Sequence, residues 1–86
     1  MSTNAVRSEE IRKKIRAFIL RPFPGWELDD DENILDAGLL HSLTIMRLLV
    51  YIEREFEIET EGDELERGSL VSINSIVSMI ENKLSK

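Results

Sequence analysis

The chain has 86 residues and no cysteine, and its 11 basic and 17 acidic side chains give a formal net charge of −6. This length fits one domain with a single modest core, and the negative charge argues against a nucleic-acid partner because a phosphate backbone would be repelled. The N-terminus lacks an apolar signal core and no apolar run reaches the roughly 20 residues that cross a bilayer, which predicts a cytoplasmic protein without a membrane partner.

Apolar residues at helical spacing predict a first helix from about Ser8 to Leu20. Ser8 is placed to cap this helix, and two glutamates follow it in the first turn. Residues 1–7 are predicted to be the flexible N-terminus of a single domain that spans residues 1–86. The sequence RPFPGW ends the helix, because its two prolines cannot continue the backbone hydrogen-bond ladder.

A long acidic connection, from Glu27 to Leu40, separates the first helix from the second. Its apolar residues are predicted to fix the loop to the core: Ile34, Leu35, Leu39 and Leu40. Loops of this length are uncommon in compact domains and often have a function.

The second helix is predicted from about Ser42 to Phe56 and is apolar on two sides. One stripe has the spacing of a core face: Ile45, Leu48, Leu49, Ile52 and Phe56. A second group, here called the apolar strip, is centred roughly 140° away around the helix axis and consists of Leu43, Met46 and Val50. Either the other elements surround this helix on all sides, or the apolar strip is exposed and contacts another protein.

The rest of the chain predicts one further main helix. An acidic, turn-rich stretch from Glu57 to Leu70 includes one short helical turn around residues 63–67. Ser72 then caps a helix with a regular apolar face: Ile73, Ile76, Val77, Ile80 and Leu84. Because no segment alternates with the period of a strand, the predicted fold class is all-α, a small three- to four-helix bundle with a long loop between helices one and two.

The only histidine, His41, precedes Ser42 at the predicted start of the second helix. Adjacent side chains at a helix start diverge, and a bundle this small offers little room for a substrate pocket, so this pair does not predict nucleophilic catalysis. The carboxylates of the preceding loop lack the spacing of a calcium-binding loop, so no metal site is predicted. Ser42 is either a plain N-cap or the attachment point of an anionic group, which the first turn of a helix favours.

The segment DAGLLHSLTIMRLLVYIEREFEIE, residues 36–59, resembles the phosphopantetheine attachment region of acyl and peptidyl carrier proteins. The order of helices and loops is also similar to that family over essentially the whole chain. The resemblance implies a bundle of the acyl-carrier-protein type in which Ser42 accepts 4′-phosphopantetheine from coenzyme A and His41 flanks it. It also implies a non-catalytic carrier, whose arm ends in the thiol that the protein lacks and holds a cargo as a thioester.

Two residues fit peptidyl carriers better than fatty-acid carriers. His41 is similar to the residue before the serine in peptidyl carriers, where fatty-acid carriers have an aspartate, and Arg47 interrupts the acidic face that fatty-acid carriers show. The chain therefore resembles a free-standing carrier of aminoacyl, peptidyl or acyl groups in nonribosomal-peptide-type or related secondary metabolism. Discrete carriers of prolyl groups and D-alanyl carriers of cell-wall modification are also similar.

The resemblance implies three kinds of partner: a magnesium-dependent phosphopantetheinyl transferase, an adenylating enzyme or ligase that loads the arm, and downstream tailoring or condensing enzymes. These enzymes are predicted to contact a monomeric carrier through the apolar strip, with Arg47, Glu53 and Arg54 as polar rim residues. The acidic stretch from Glu53 to Glu66 either steers basic partners or is ordinary solvated surface. The alternative function is a small helical adaptor that uses the same strip without a covalent arm.

Overall fold

The computed structural model describes residues 3–39, 41–61, 63 and 68–85, with the backbone alone described for residues 3–6 and 42. Three helices follow one another along these ranges: α1 (Thr3–Leu20), α2 (Ser42–Phe56) and α3 (Ile73–Leu84). No strand forms within them, and the predicted all-α fold class is confirmed. The predicted helical turn at residues 63–67 falls on a segment of which only Asp63 belongs to the described residues.

The first helix begins at Thr3, so the predicted start at Ser8 is wrong. Residues 3–7 contain neither glycine nor proline, and nothing in them interrupts helical hydrogen bonding. Ser8 therefore lies inside the helix and not at its N-cap, and its hydroxyl donates to the Glu81 carboxylate of α3. The flexibility predicted for residues 1–7 stays a prediction.

The core is built mainly from branched aliphatic side chains on all three helices, and α1 and α3 are the most closely packed pair. Its helical members are Ile11, Ile15 and Ile19 from α1, Leu48 and Ile52 from α2, and Ile73, Ile76, Val77, Met79 and Ile80 from α3. The predicted core face of α2 is confirmed at Leu48 and Ile52, which are fully buried, and the other three members pack partly buried against them. Each such side chain stabilises the fold by about 1.5–3 kcal/mol.

The loop between α1 and α2 is fixed to the core, as predicted. Three of its apolar side chains are buried: Leu28, Ile34 and Leu39. The anchoring predicted for Ile34 and Leu39 is thus confirmed, and Leu35 packs partly buried against the same core. Leu40 lies outside the described residues, and the anchor Leu28 was missed.

Charged and amide side chains connect the middle of this loop to α1 and α3. The Asp30 carboxylate accepts from Arg16, and one of its oxygens lies 3.2 Å from the buried Arg12 Nε, an ion-pair contact without hydrogen-bond alignment. Arg12 Nη2 also donates to Asn74 Oδ1 of α3 at 3.1 Å, and Asn74 Nδ2 donates to the Asp31 carboxylate at 2.6 Å. These contacts hold the loop in place before it reaches the start of α2.

The third helix starts with a capping box, which confirms the N-cap predicted at Ser72. The Ser72 hydroxyl oxygen accepts from the Ser75 N–H at 3.1 Å, and the Ser75 hydroxyl oxygen accepts from the Ser72 N–H at 2.9 Å. One residue earlier, the Val71 carbonyl accepts from the Ile34 N–H of the loop at 2.7 Å. The start of α3 therefore stabilises both its own first turn and the loop.

Asp30→Ala is expected to lower the free energy of unfolding by about 1 kcal/mol, because it removes the acceptor that Arg12 and Arg16 share at a partly exposed site. Urea denaturation followed by circular dichroism measures the change. Asp36→Ala removes an exposed carboxylate of the same loop and is the matched control, with an expected change within about 0.5 kcal/mol. Equal effects of the two substitutions would contradict a special role of Asp30.

Candidate functional site

The start of α2 is set by the backbone of His41, which takes the N-cap position with extended angles of φ −130° and ψ 175°. Its carbonyl accepts the first intrahelical hydrogen bond, from the Ile45 N–H at 2.8 Å. Ser42 is consequently the first residue inside the helix, so the interpretation of Ser42 as a plain N-cap is wrong. The Ser42 side chain, on which the attachment prediction depends, lies outside the described residues.

The two neighbours of Ser42 in sequence are both exposed. His41 Nε2 lies 3.4 Å from Thr44 Oγ1, and among the described atoms its imidazole makes no hydrogen bond that caps the helix. The first turn, from Ser42 to Ile45, contains only uncharged residues. The N–H groups at a helix start have no intrahelical acceptor, so this turn can stabilise an anionic group attached there.

The apolar strip of α2 is exposed, which decides between the two alternatives that its spacing left open. The exposed fractions are 61% for Leu43, 60% for Met46 and 46% for Val50, against 0% for Leu48 and Ile52. The alternative in which other elements surround α2 on all sides is therefore wrong. Contact of this strip with a partner enzyme stays a prediction.

Of the three predicted rim residues, two are free at the surface and one is engaged by the chain itself. Arg47 and Arg54 are exposed. Glu53 Oε2 accepts two hydrogen bonds from Thr60, one from the backbone N–H and one from the hydroxyl, each at 2.8 Å. These bonds favour the ionised carboxylate and hold the pKa of Glu53 below its ordinary value, the backbone donor contributing most. Glu53 therefore closes the turn after α2 and offers a partner only its other oxygen.

Thr60→Val is expected to raise the pKa of Glu53 part of the way to its ordinary value, since the hydroxyl donor is lost and the backbone donor stays. Because the folded pKa lies below the unfolded one, the stabilisation exists above the unfolded pKa of about 4.3 and disappears as the pH falls through the folded pKa. The wild type should therefore be more stable than the variant above the unfolded pKa, and this difference should disappear as the pH falls. NMR titration of the Glu53 side chain measures the shift, and identical titration curves would contradict it.

A groove that the sequence did not predict runs between the C-terminal end of α1 and the exposed side of α2. It has a volume of about 740 Å³, and Met46 and Val50 of the apolar strip form part of its wall. Phe18 and Tyr51 stack within it, with ring centroids 4.6 Å apart and an interplanar angle of 18°. Partial burial raises the pKa of Tyr51. Arg21 lies over the Phe18 ring, with its guanidinium carbon 5.8 Å from the ring centroid.

In the part of the chain that the structure describes, no group of three or more histidine, aspartate or glutamate side chains is arranged to hold a metal ion. None of the helices in that part combines the length and the apolar character needed to cross a bilayer.

A known protein family and several known proteins are similar to this chain over most of its length. The family described as "Phosphopantetheine attachment site" matches residues 11–81. The chain is 33% identical over 66 residues to the D-alanyl carrier proteins of Lactobacillus helveticus and Lactobacillus acidophilus, which covers 74% of this chain and 84% of each relative. It is 37% identical over 51 residues to the D-alanyl carrier protein of Streptococcus uberis, covering 59% of this chain and 65% of the relative.

Proposed function

We propose that this chain, a carrier protein that belongs to the phosphopantetheine-attachment family, holds an amino acid as a thioester on an arm attached to Ser42 and presents it to partner enzymes. The observation that carries the proposal is the place of Ser42, which opens α2 between two exposed residues and lies within the matched range. Family membership implies covalently attached 4′-phosphopantetheine, which supplies the thiol that a chain without cysteine lacks.

The residues around Ser42 fit such an attachment. The first turn of α2 is uncharged, so no carboxylate within it repels a phosphodiester, and its N–H groups and the positive end of the helix dipole stabilise one by about 0.3–1 kcal/mol at an exposed site. His41 and Leu43 are exposed, so a transferase can approach the backbone of this turn from solvent. The fixed loop before His41 presents the helix start at a defined position.

The proposed cargo is an amino acid, in nonribosomal-peptide-type or related metabolism, with His41 as the residue that resembles peptidyl carriers. A second candidate cargo is D-alanine specifically, which the names of the relatives from Lactobacillus and Streptococcus favour. Both candidates use the same site and the same thioester, and they differ in the ligase that supplies the amino acid and in the enzymes that receive it.

Carrier proteins of this family interact with phosphopantetheinyl transferases and with ligases. In the proposal these enzymes and the downstream tailoring or condensing enzymes contact the apolar strip in turn, and Arg47 and Arg54 orient them. Each contact is small and brief, because one carrier has to serve several enzymes. The chain itself is a non-catalytic, monomeric subunit, and its cytoplasmic location is part of the proposal.

The attachment is tested by incubating the purified chain with a promiscuous phosphopantetheinyl transferase, magnesium and coenzyme A. One phosphopantetheinyl group should be transferred to each chain, with release of adenosine 3′,5′-bisphosphate, and intact-mass spectrometry reads the gain. A chain that stays unmodified while a control carrier is converted would overturn the carrier proposal and favour the helical adaptor without a covalent arm.

The cargo is tested on the protein isolated from its own cells under mildly acidic conditions that preserve thioesters. Enzymatic release followed by chiral chromatography should yield an amino acid, and its configuration separates D-alanine from an L-amino acid. Release of a fatty acyl group instead would overturn the aminoacyl assignment and leave the attachment at Ser42 in place.

A further inference from the structure

The groove between α1 and α2 is positively charged, although the chain as a whole carries a net charge of −6. Among the described residues, three arginines line it: Arg21, which directly follows α1, and Arg47 and Arg54 from α2. Of its lining residues that the structure describes, only Glu55 carries a carboxylate, and its Oε2 lies 2.6 Å from Lys14 Nζ and is therefore already neutralised.

Among the described residues, none of the three guanidiniums is paired with a carboxylate. All three side chains are exposed. The ion pairs found among the described residues engage other cations, namely Arg12, Lys14 and Arg16. A cation-lined groove of this kind attracts carboxylates, and charge placement at the rim of an interface selects its partner.

The spacing of the arginines on α2 specifies the shape of the ligand. Arg47 and Arg54 are seven residues apart, so they lie on nearly the same side of the helix at a separation of about 10.5 Å along its axis. Val50 and Tyr51 lie between them in sequence, one turn from each, and form the apolar wall of the groove with Phe18. A second helix that runs along the groove would match this pattern with two carboxylates two turns apart and an apolar residue between them.

We infer that this groove docks an acidic, amphipathic helix of a partner enzyme, with its carboxylates on Arg47 and Arg54 and its apolar side chain between Phe18, Val50 and Tyr51. The inference rests on the proposed function, since the partner is one of the enzymes that exchange the cargo. It adds Phe18, Arg21 and Tyr51 to the docking surface and gives that surface an acidic partner.

The test uses the full chain and two synthetic helical peptides. One peptide carries glutamates two turns apart with leucines between them, and the other carries lysines in place of those glutamates. NMR shift titration of the labelled chain measures both affinities and maps the bound surface. The wild type should bind the glutamate peptide about tenfold more tightly than the lysine peptide, with shifts at Tyr51 and Val50. This preference should largely disappear at about 1 M salt, where the Debye length is about 3 Å.

Two double variants of equal charge change separate a local from a general charge effect. Arg47→Glu/Arg54→Glu alters the groove, and Arg7→Glu/Lys13→Glu alters exposed cations of α1 that do not line it. The groove variant should lose the preference or favour the lysine peptide, while the α1 variant should keep the wild-type preference within about twofold.

Absent binding, equal affinity for the two peptides, shifts that map elsewhere, or equal losses in both double variants would each overturn the inference. None of these results depends on the arm, because the peptide titration is carried out on the unmodified chain. A failed titration beside successful phosphopantetheine transfer would remove the acidic partner and leave the carrier function, whereas failed transfer would remove the carrier function itself.

Discussion

Ser42→Ala is expected to abolish phosphopantetheine attachment completely while the three-helix fold stays intact. In the proposed function the arm is bound to the protein through the Ser42 side-chain oxygen, and alanine has no nucleophile to replace that oxygen. Alanine is the best helix former, and Ser42 is the first residue of α2 and not its N-cap, so loss of a capping side chain does not accompany the substitution. The melting temperature should therefore change little.

Intact-mass spectrometry after treatment with transferase and coenzyme A checks this result, and circular dichroism checks the fold. Ser78→Ala is the matched control, because Ser78 is an exposed serine on α3, and that variant should be modified as the wild type is. Modification of the Ser42 variant would place the arm on another residue and contradict the proposed site.

The helices were predictable from sequence wherever a local signal marks both ends. The bounds of α2 agree with the structure, and Ser72 was recognised as the cap of α3 because a serine before a regular apolar face satisfies orphan N–H groups. The start of α1 was missed since residues 3–7 contain no stop signal, and Ser8 is a capping-type residue that here donates to Glu81 across the bundle. A serine can either cap a helix or form a hydrogen bond with a distant residue, and the local sequence does not show which of the two occurs.

In the site, too, features that depend on local spacing were predictable, whereas features that depend on contacts between distant segments were not. The apolar strip followed from angles around a single helix, and its exposure agrees with the stated alternative. The groove depends on how the end of α1 packs beside α2, which brings Phe18 onto Tyr51 across a long stretch of chain. Glu53 was assigned to a partner because a glutamate on a helix surface has no local signal for a bond with Thr60. Contacts between distant segments were thus the part that spacing alone did not reveal.

Among substitutions in α2, Ile52→Ala and Val50→Glu are expected to differ strongly in their effect on stability. Ile52 is fully buried, so its truncation leaves a cavity and should cost about 2–5 kcal/mol, with a fall in melting temperature of more than about 10 °C. Val50 is 46% exposed, and a glutamate there can pair with Arg54 one turn later, so its effect on stability should stay within about 0.5 kcal/mol.

Charging by the ligase should be impaired more by Val50→Glu than by Ile52→Ala. Val50→Glu places a charge on the apolar strip, and an enzyme that docks there has to desolvate it, so kcat/KM for charging by the ligase should fall by at least about tenfold. Ile52→Ala, assayed well below its melting temperature, should be charged at nearly the wild-type rate because Ile52 does not reach the surface. Thermal denaturation and initial charging rates of the two variants measure the contrast. Wild-type charging of the folded Val50 variant would show that the strip is not the surface that the ligase uses, whatever residue carries the arm.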